Sequence, residues 1–282
     1  MRSQDKVFTL YGDYLRFREG PVAVDSLITL LGQLDLSEAA VRSVLWRMTR
    51  KGWLTMHRIG SGSYYGLTAR GHRLLEEGSQ RIYHPPRNEP WDGSWYLVAY
   101  SIPEDRRRLR DRLRVRLLWL GCGPLTNGVW ISPHNLRNEV EEIATSLNIT
   151  GHVEVFRAQH LGFSAIHSLI AQCWDLPAVN ARYAAFIDKY QPEYQRHQAE
   201  IHSDGQLSPA QCFVRRFMLV HEYREFPFVD PYLPQELLPG DWRGDDAVEL
   251  FRAYHDLLTD RAEVYVDQVC EVAPAISVIS NQ

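Results

Sequence analysis

Apolar positions recur at helical spacing over Phe8–Phe17 and again over Ser26–Leu34, with Gly20 and Pro21 breaking the chain between them. A third helix is expected to start after Ser37, a good N-cap, and to stop at Gly52, which suits the left-handed position beyond a helix end. Within it Val41, Val44, Leu45 and Met48 fall on one face. Leu54–Ile59 and Tyr64–Thr68 alternate or are β-prone around a break at Gly60-Ser-Gly-Ser63, which predicts a hairpin with a glycine-rich tip.

Three helices followed by a hairpin is the order of a winged helix-turn-helix, in which the last helix enters the major groove and the hairpin approaches the backbone. The polar face of the third helix carries Arg42 and Arg47, whose guanidinium groups match the O6 and N7 acceptors of guanine. Arg50, Lys51 and Arg58 suit phosphate, and Ser37, Ser43, Ser61, Ser63 and Tyr64 complete the candidate DNA-binding set. Trp46 is expected to pack rather than to stack on a base. The competing reading is that the arginines form an ordinary solvated helix face.

Ala69–Arg81 reads as a further helix, and His84-Pro-Pro-Arg-Asn-Glu-Pro90 ends it in a proline-rich linker. Beyond Trp91 the pattern runs strand (Trp95–Ser101), helix (Glu104–Leu120), strands (Gly123–Thr126 and Gly128–Ser132), helix (Leu136–Leu147) and strand (His152–Ala158). That βαββαβ order predicts a ferredoxin-like plait. Arg107, Arg110 and Arg114 recur opposite Leu109, Leu113 and Leu117 on its first helix, either as a solvated stripe with Asp111 pairing Arg107 or as a surface for DNA or an anionic ligand.

From Phe163 onward three apolar stripes predict an all-α domain: Val179, Tyr183, Phe186, Ile187 and Tyr190; Phe213, Phe217 and Val220; and Val248, Phe251, His255 and Leu258. The proline-rich segment Phe226–Gly240 should be an ordered loop. The expected fold class is therefore α+β and multidomain, with a winged helix-turn-helix over residues 1–83, a linker over 84–90, a ferredoxin-like domain over 91–160 and a helical domain over 161–282.

Charge sharpens this division. The 282 residues sum to −4, but residues 1–83 carry +4, residues 84–160 carry +1 and residues 161–282 carry −9. A basic end on an acidic remainder suits a chain that touches nucleic acid at one end. No apolar run approaches the length of a membrane span, the N-terminus lacks the apolar core of a signal peptide, and Cys122, Cys173, Cys212 and Cys270 are too dispersed for a local metal or redox pair. A cytoplasmic location and no cofactor are the expectations.

Several stretches together resemble the PaaX family of bacterial transcriptional repressors of phenylacetate catabolism. They are Phe8-Thr-Leu-Tyr-Gly-Asp-Tyr14, Ala40–Trp53, Ser63-Tyr-Tyr-Gly-Leu-Thr68, Gly128-Val-Trp-Ile-Ser-Pro133, His221-Glu-Tyr-Arg224, Asp230-Pro-Tyr-Leu-Pro234 and Leu237–Gly244. The likeness spans roughly residues 7–272, departing at the hairpin tip, where Gly60-Ser-Gly-Ser63 stands in place of the arginines frequent in that family. It implies a double-stranded DNA operator, a central domain similar to Cas2, and release from DNA by phenylacetyl-CoA or a related acyl-CoA.

Relatives of Cas2 can cut nucleic acid with an aspartate after the first strand, where this chain has Ser101, a poor ligand for a divalent metal. A metal-dependent nuclease and a protein-interaction adaptor are the alternatives to a regulator, and neither GxSxG nor a phosphate-binding GxxxxGK[ST] occurs. His221-Glu-Tyr-Arg224 reads either as a Glu222–Arg224 ion pair or as part of an effector pocket, in which His221, Tyr223 and Arg224 join Trp174 and Trp242. Arg215 and Arg216, or Arg107, Arg110 and Arg114, would then face the phosphates of coenzyme A. A homodimer on an inverted repeat completes the expectation, because one small basic domain makes too few phosphate contacts to select a site alone.

Overall fold

A computed structural model describes residues 2–84, 90–202 and 207–273. It is an α+β chain that divides into two compact units. One comprises the described residues of Met1–Tyr83, Phe186–Arg224 and Asp246–Gln282, and the other those of His84–Ala185 and Glu225–Asp245.

The first unit opens with α1 (Ser3–Leu10), continued by one wider π-helical turn over Tyr11–Leu15. A two-residue strand β1 (Val22–Ala23) leads into α2 (Val24–Gly32), followed by α3 (Glu38–Arg50). The Ala40 N–H donates to Ser37 Oγ at 3.3 Å, and Gly52 at φ +70° closes the other end of α3. The apolar face of α3, Val41, Val44, Leu45 and Met48, is fully buried. Strands β2 (Leu54–Ile59) and β3 (Gly62–Leu67) pair antiparallel across Gly60-Ser61, a tighter tip than expected, with Ser63 already in the strand opposite Arg58. β1 joins the free side of β3, giving the order β1-β3-β2, and α4 (Ala69–Tyr83) follows.

In the second unit β4 (Trp95–Tyr100), β5 (Gly123–Thr126), β6 (Val129–Ser132) and β7 (Val153–Ala158) form an antiparallel sheet in the order β5-β6-β4-β7. α5 (Arg107–Trp119) and α6 (Arg137–Ser146) lie on the face built on Val98, Leu113, Leu117, Trp130 and Val140. The opposite face places Trp95 and Ile131 against Leu169, Ile170 and Cys173 of α7 (Ile166–Cys173), with Leu233 and Leu237 from the loop. That loop is ordered as expected: buried Asp230 accepts from Tyr183 Oη at 2.5 Å and from the Tyr232 N–H at 2.7 Å, holding Tyr232 at φ +54°.

The remaining helices are α8 (Leu176–His202), α9 (Pro209–Tyr223) and α10 (Gly244–Val269). The compact units cut the chain differently from the three-part division of the sequence, because α9 and most of α10 cluster with residues 1–83 instead of closing on a core of their own. Tyr14 Oη donates to the Phe213 carbonyl at 3.1 Å, and after α10 the chain joins the N-terminal sheet: the Ala23 N–H donates to the Glu271 carbonyl at 2.9 Å and that of Ala273 to the Pro21 carbonyl at 3.0 Å. A Cβ on Gly20 (φ +109°) would lie 2.4 Å from the Ala273 carbonyl oxygen, so a glycine is needed for this approach. Of the expected linker, residues 85–89 lie outside the described residues. No helix among the described residues is long and apolar enough to cross a membrane.

Candidate nucleic-acid interface

Burying four apolar side chains of α3 leaves Arg42, Ser43, Trp46, Arg47 and Arg50 exposed along its other side. These groups differ in how free they are. Arg42 is held by Glu38 at 2.8 Å and faces Asp25 at 3.8 Å, and its exposed guanidinium is more firmly protonated for the hydrogen bond to Glu38. Arg47 Nη1 donates to Ser43 Oγ at 2.8 Å, a neutral partner that a base edge can replace. Lys51 donates to Gln4 at 3.0 Å and lies over the Trp53 ring.

Trp46 corrects the sequence expectation. It does not pack inward but is 57% exposed at the middle of the cationic face, with the Arg50 guanidinium 4.9 Å above its ring. Its position opposite the Val41–Met48 face was the available signal, outweighed by the general tendency of tryptophan to be buried.

At the hairpin, Arg58 and Ser61 are exposed and Ser63 is half-buried. Tyr64 is committed elsewhere, donating its hydroxyl to Glu271 at 2.7 Å. The β2-β3 hairpin is thereby tied to the segment that follows α10.

Most of the residues expected around an effector have internal partners. The Arg216 guanidinium is buried, with Nε 3.0 Å from Asp13 Oδ2 and Nη1 donating to Glu263 at 2.8 Å. His255 Nε2 sits 3.1 Å from Asp13 Oδ1, and Tyr83 Oη donates to that oxygen at 2.7 Å. Burial alone would raise the Asp13 carboxyl, but the hydrogen bond with His255 and the charge of Arg216 hold it below its usual range. His221 is buried beside Thr9, whose hydroxyl donates to the Asp5 carbonyl and accepts from Nδ1 at 2.8 Å. Burial, with the positive charges of Arg224 and Lys6, pushes its pKa down to about 4. Tyr223 stacks on Phe251 at 3.9 Å. The expected Glu222–Arg224 pair does not form: Glu222 binds Lys189 and Arg224 lies 3.9 Å from Asp5.

Arg215 faces Glu193 at 3.7 Å. Arg107 lies 3.9 Å from Asp111, Arg110 2.9 Å from Glu104, and Arg114 is exposed. Trp174 lines a cleft of about 240 Å³ inside the second unit with His167, Ile170, Pro177, Leu237 and Asp241, and its Nε1 donates to the Gly121 carbonyl at 3.1 Å. Trp242 meets Tyr183 edge-on at 5.5 Å. Ser101, after β4, is exposed, and its carbonyl lies 3.0 Å from His152 Nδ1.

Comparison with known proteins bears on the whole length. Family profiles match residues 2–71 as a PaaX-like protein, residues 88–170 as the PaaX protein central Cas2-like domain, and residues 174–268 as the PaaX-like protein C-terminal domain. The chain is 32% identical over 270 residues to the transcriptional repressor PaaX of Escherichia coli strain K12, covering 95% of this chain and 84% of that one. It is also similar to the solved structure of the uncharacterized protein Rv0674 from Mycobacterium tuberculosis, with a TM-score of 0.59 and 25% identity over 95% of this chain and 99% of that one.

Proposed function

Since the chain belongs to the PaaX family, we propose that it is a DNA-binding transcriptional repressor that reads its operator with α3. The observation that carries this reading is the exposed face Arg42–Ser43–Trp46–Arg47–Arg50 on a helix whose other side is entirely core. Helices α1, α2 and α3 followed by the β2-β3 hairpin support a winged helix-turn-helix, with Arg47 and Trp46 at base edges and Arg50, Lys51 and Arg58 at phosphates.

The strand order β5-β6-β4-β7 supports a ferredoxin-like plait for the middle segment. With a serine at position 101 where a metal-dependent relative would need a carboxylate, its role is non-enzymatic. The chain acts in the cytoplasm as a homodimer on an inverted repeat. Its effector is an acyl-CoA such as phenylacetyl-CoA, whose apolar acyl group suits the cleft beside Trp174 better than the paired arginines of α9.

The test is footprinting on the DNA upstream of the chain's own gene, with and without phenylacetyl-CoA, free phenylacetate and free coenzyme A. A protected inverted repeat released by the thioester alone is the expected result. No protection of any sequence over random DNA would overturn the repressor reading, and protection insensitive to all three compounds would overturn the effector.

A further inference from the structure

Helix α5 carries more positive charge than its surroundings neutralise. Between Glu104 and Trp119 the chain has seven arginines against three carboxylates. Glu104 and Asp111 engage Arg107 and Arg110. Arg108, Arg112, Arg114 and Arg116 are exposed, and among the described residues none of the four makes an ion pair.

Three of these stand in a row. Arg108, Arg112 and Arg116 recur every fourth residue, which places them about 6 Å apart along the helix axis. Leu113 and Leu117 are fully buried in the core beneath, so the helix cannot roll to hide the row. Like charges four residues apart destabilise a helix, and here that repulsion is met twice with no ion pair among the described residues to offset it.

A line of guanidinium forks fits a partner with anionic oxygens repeated along a line. Duplex DNA supplies one phosphate per ~3.4 Å of each strand. The α3 face leaves room for such help, since Arg42 is already shared between two carboxylates. We propose that the Arg108–Arg112–Arg116 row of α5 is a second DNA contact, gripping backbone phosphates without reading sequence. The inference rests on the DNA-binding reading above, and the experiment separates the two.

Binding of the full chain to its footprinted operator and to a random duplex of equal length is measured by fluorescence anisotropy across a salt series. Wild type is compared with the triple variant Arg108→Gln, Arg112→Gln, Arg116→Gln and with Arg112→Glu; the exposed positions should leave thermal unfolding unchanged, and Arg112→Glu guards against a fold lost in the triple. The triple variant should lower the slope of log K against log salt by about 2–3 and weaken both duplexes about tenfold, leaving their ratio unchanged. Arg112→Glu should weaken both in the same proportion.

An unchanged slope in the triple variant would overturn the proposal, as would loss confined to the operator. If Arg47→Ala abolishes operator preference while the α5 variants behave as wild type, the row is refuted and the α3 reading stands. If wild type binds neither duplex, both fall.

Discussion

The Asp13 carboxylate and the Arg216 guanidinium lie 3.0 Å apart although 203 residues separate them, with side-chain exposures of 2% and 5%. Their pairing joins the π-helical turn after α1 to α9, within the unit that carries the proposed DNA reader. Arg216→Ala strands a buried carboxylate and should cost about 3–5 kcal/mol in urea unfolding. Replacing both partners with apolar residues of similar size should cost less than the single change. A single-variant loss below ~1 kcal/mol would show that the pair is not buried in solution.

On α3, Arg47→Ala should weaken operator binding by about 1–3 kcal/mol with little change in stability, because among the described residues its guanidinium bonds only the Ser43 hydroxyl. Arg42→Ala should cost less, since Glu38 and Asp25 already compete for its charge. Equal losses in anisotropy titrations would mean that Arg42 leaves its carboxylates on binding.

Trp46→Ala should reduce affinity for the operator more than for random DNA, and removing one thymine methyl by a uracil substitution should mimic the loss at a single position. Trp46→Phe should recover part of it. Equal weakening on all duplexes would assign Trp46 to the backbone.

Tyr64→Phe removes the hydroxyl that binds Glu271 and should loosen the hairpin without unfolding the core. Hydrogen exchange at β3 amides should quicken, and operator dissociation should rise severalfold. Unaltered exchange would show that the pairing of β3 with β1 and β2 alone fixes the hairpin.

His221 supplies a pH dependence. Its pKa is about 4 in the folded chain and about 6.5 when unfolded, so the unfolded state binds the extra proton between these values. The associated stability is fully present above pH ~6.5 and is lost as pH falls toward 4. Thermal unfolding between pH 4 and 7 should be steeper for wild type than for His221→Gln; identical slopes would show that the ring is not held neutral.

Local signals made α3 legible from end to end: Ser37 caps it, Gly52 stops it, and four apolar residues mark its inner face. The β2-β3 hairpin and the alternation of the middle segment were likewise visible, because each depends on neighbours within a few residues. What stayed hidden depends on distant partners. Nothing near Val22 announces pairing with Val272, and nothing in His221-Glu-Tyr-Arg224 shows that Thr9 will receive the imidazole and Asp5 will lie beside the arginine. Arg216 resembled a ligand's counter-ion for the same reason, since its carboxylates sit at positions 13 and 263. Trp46 departs in the opposite sense: a large aromatic ordinarily finds cover, and the surrounding fold provides none.

The strand-like pairing of residues 271–273 with Pro21–Ala23 also sets when a newly made chain can complete its N-terminal sheet. The sheet beside α2 takes its last hydrogen bonds from residues that leave the ribosome some 250 positions after it. Closing a loop of that length is entropically costly and slow compared with forming α3 or the hairpin. A chain stopped before Glu271 would carry α3 on an unfinished frame, and on the proposed function it should hold its operator less well than the full chain.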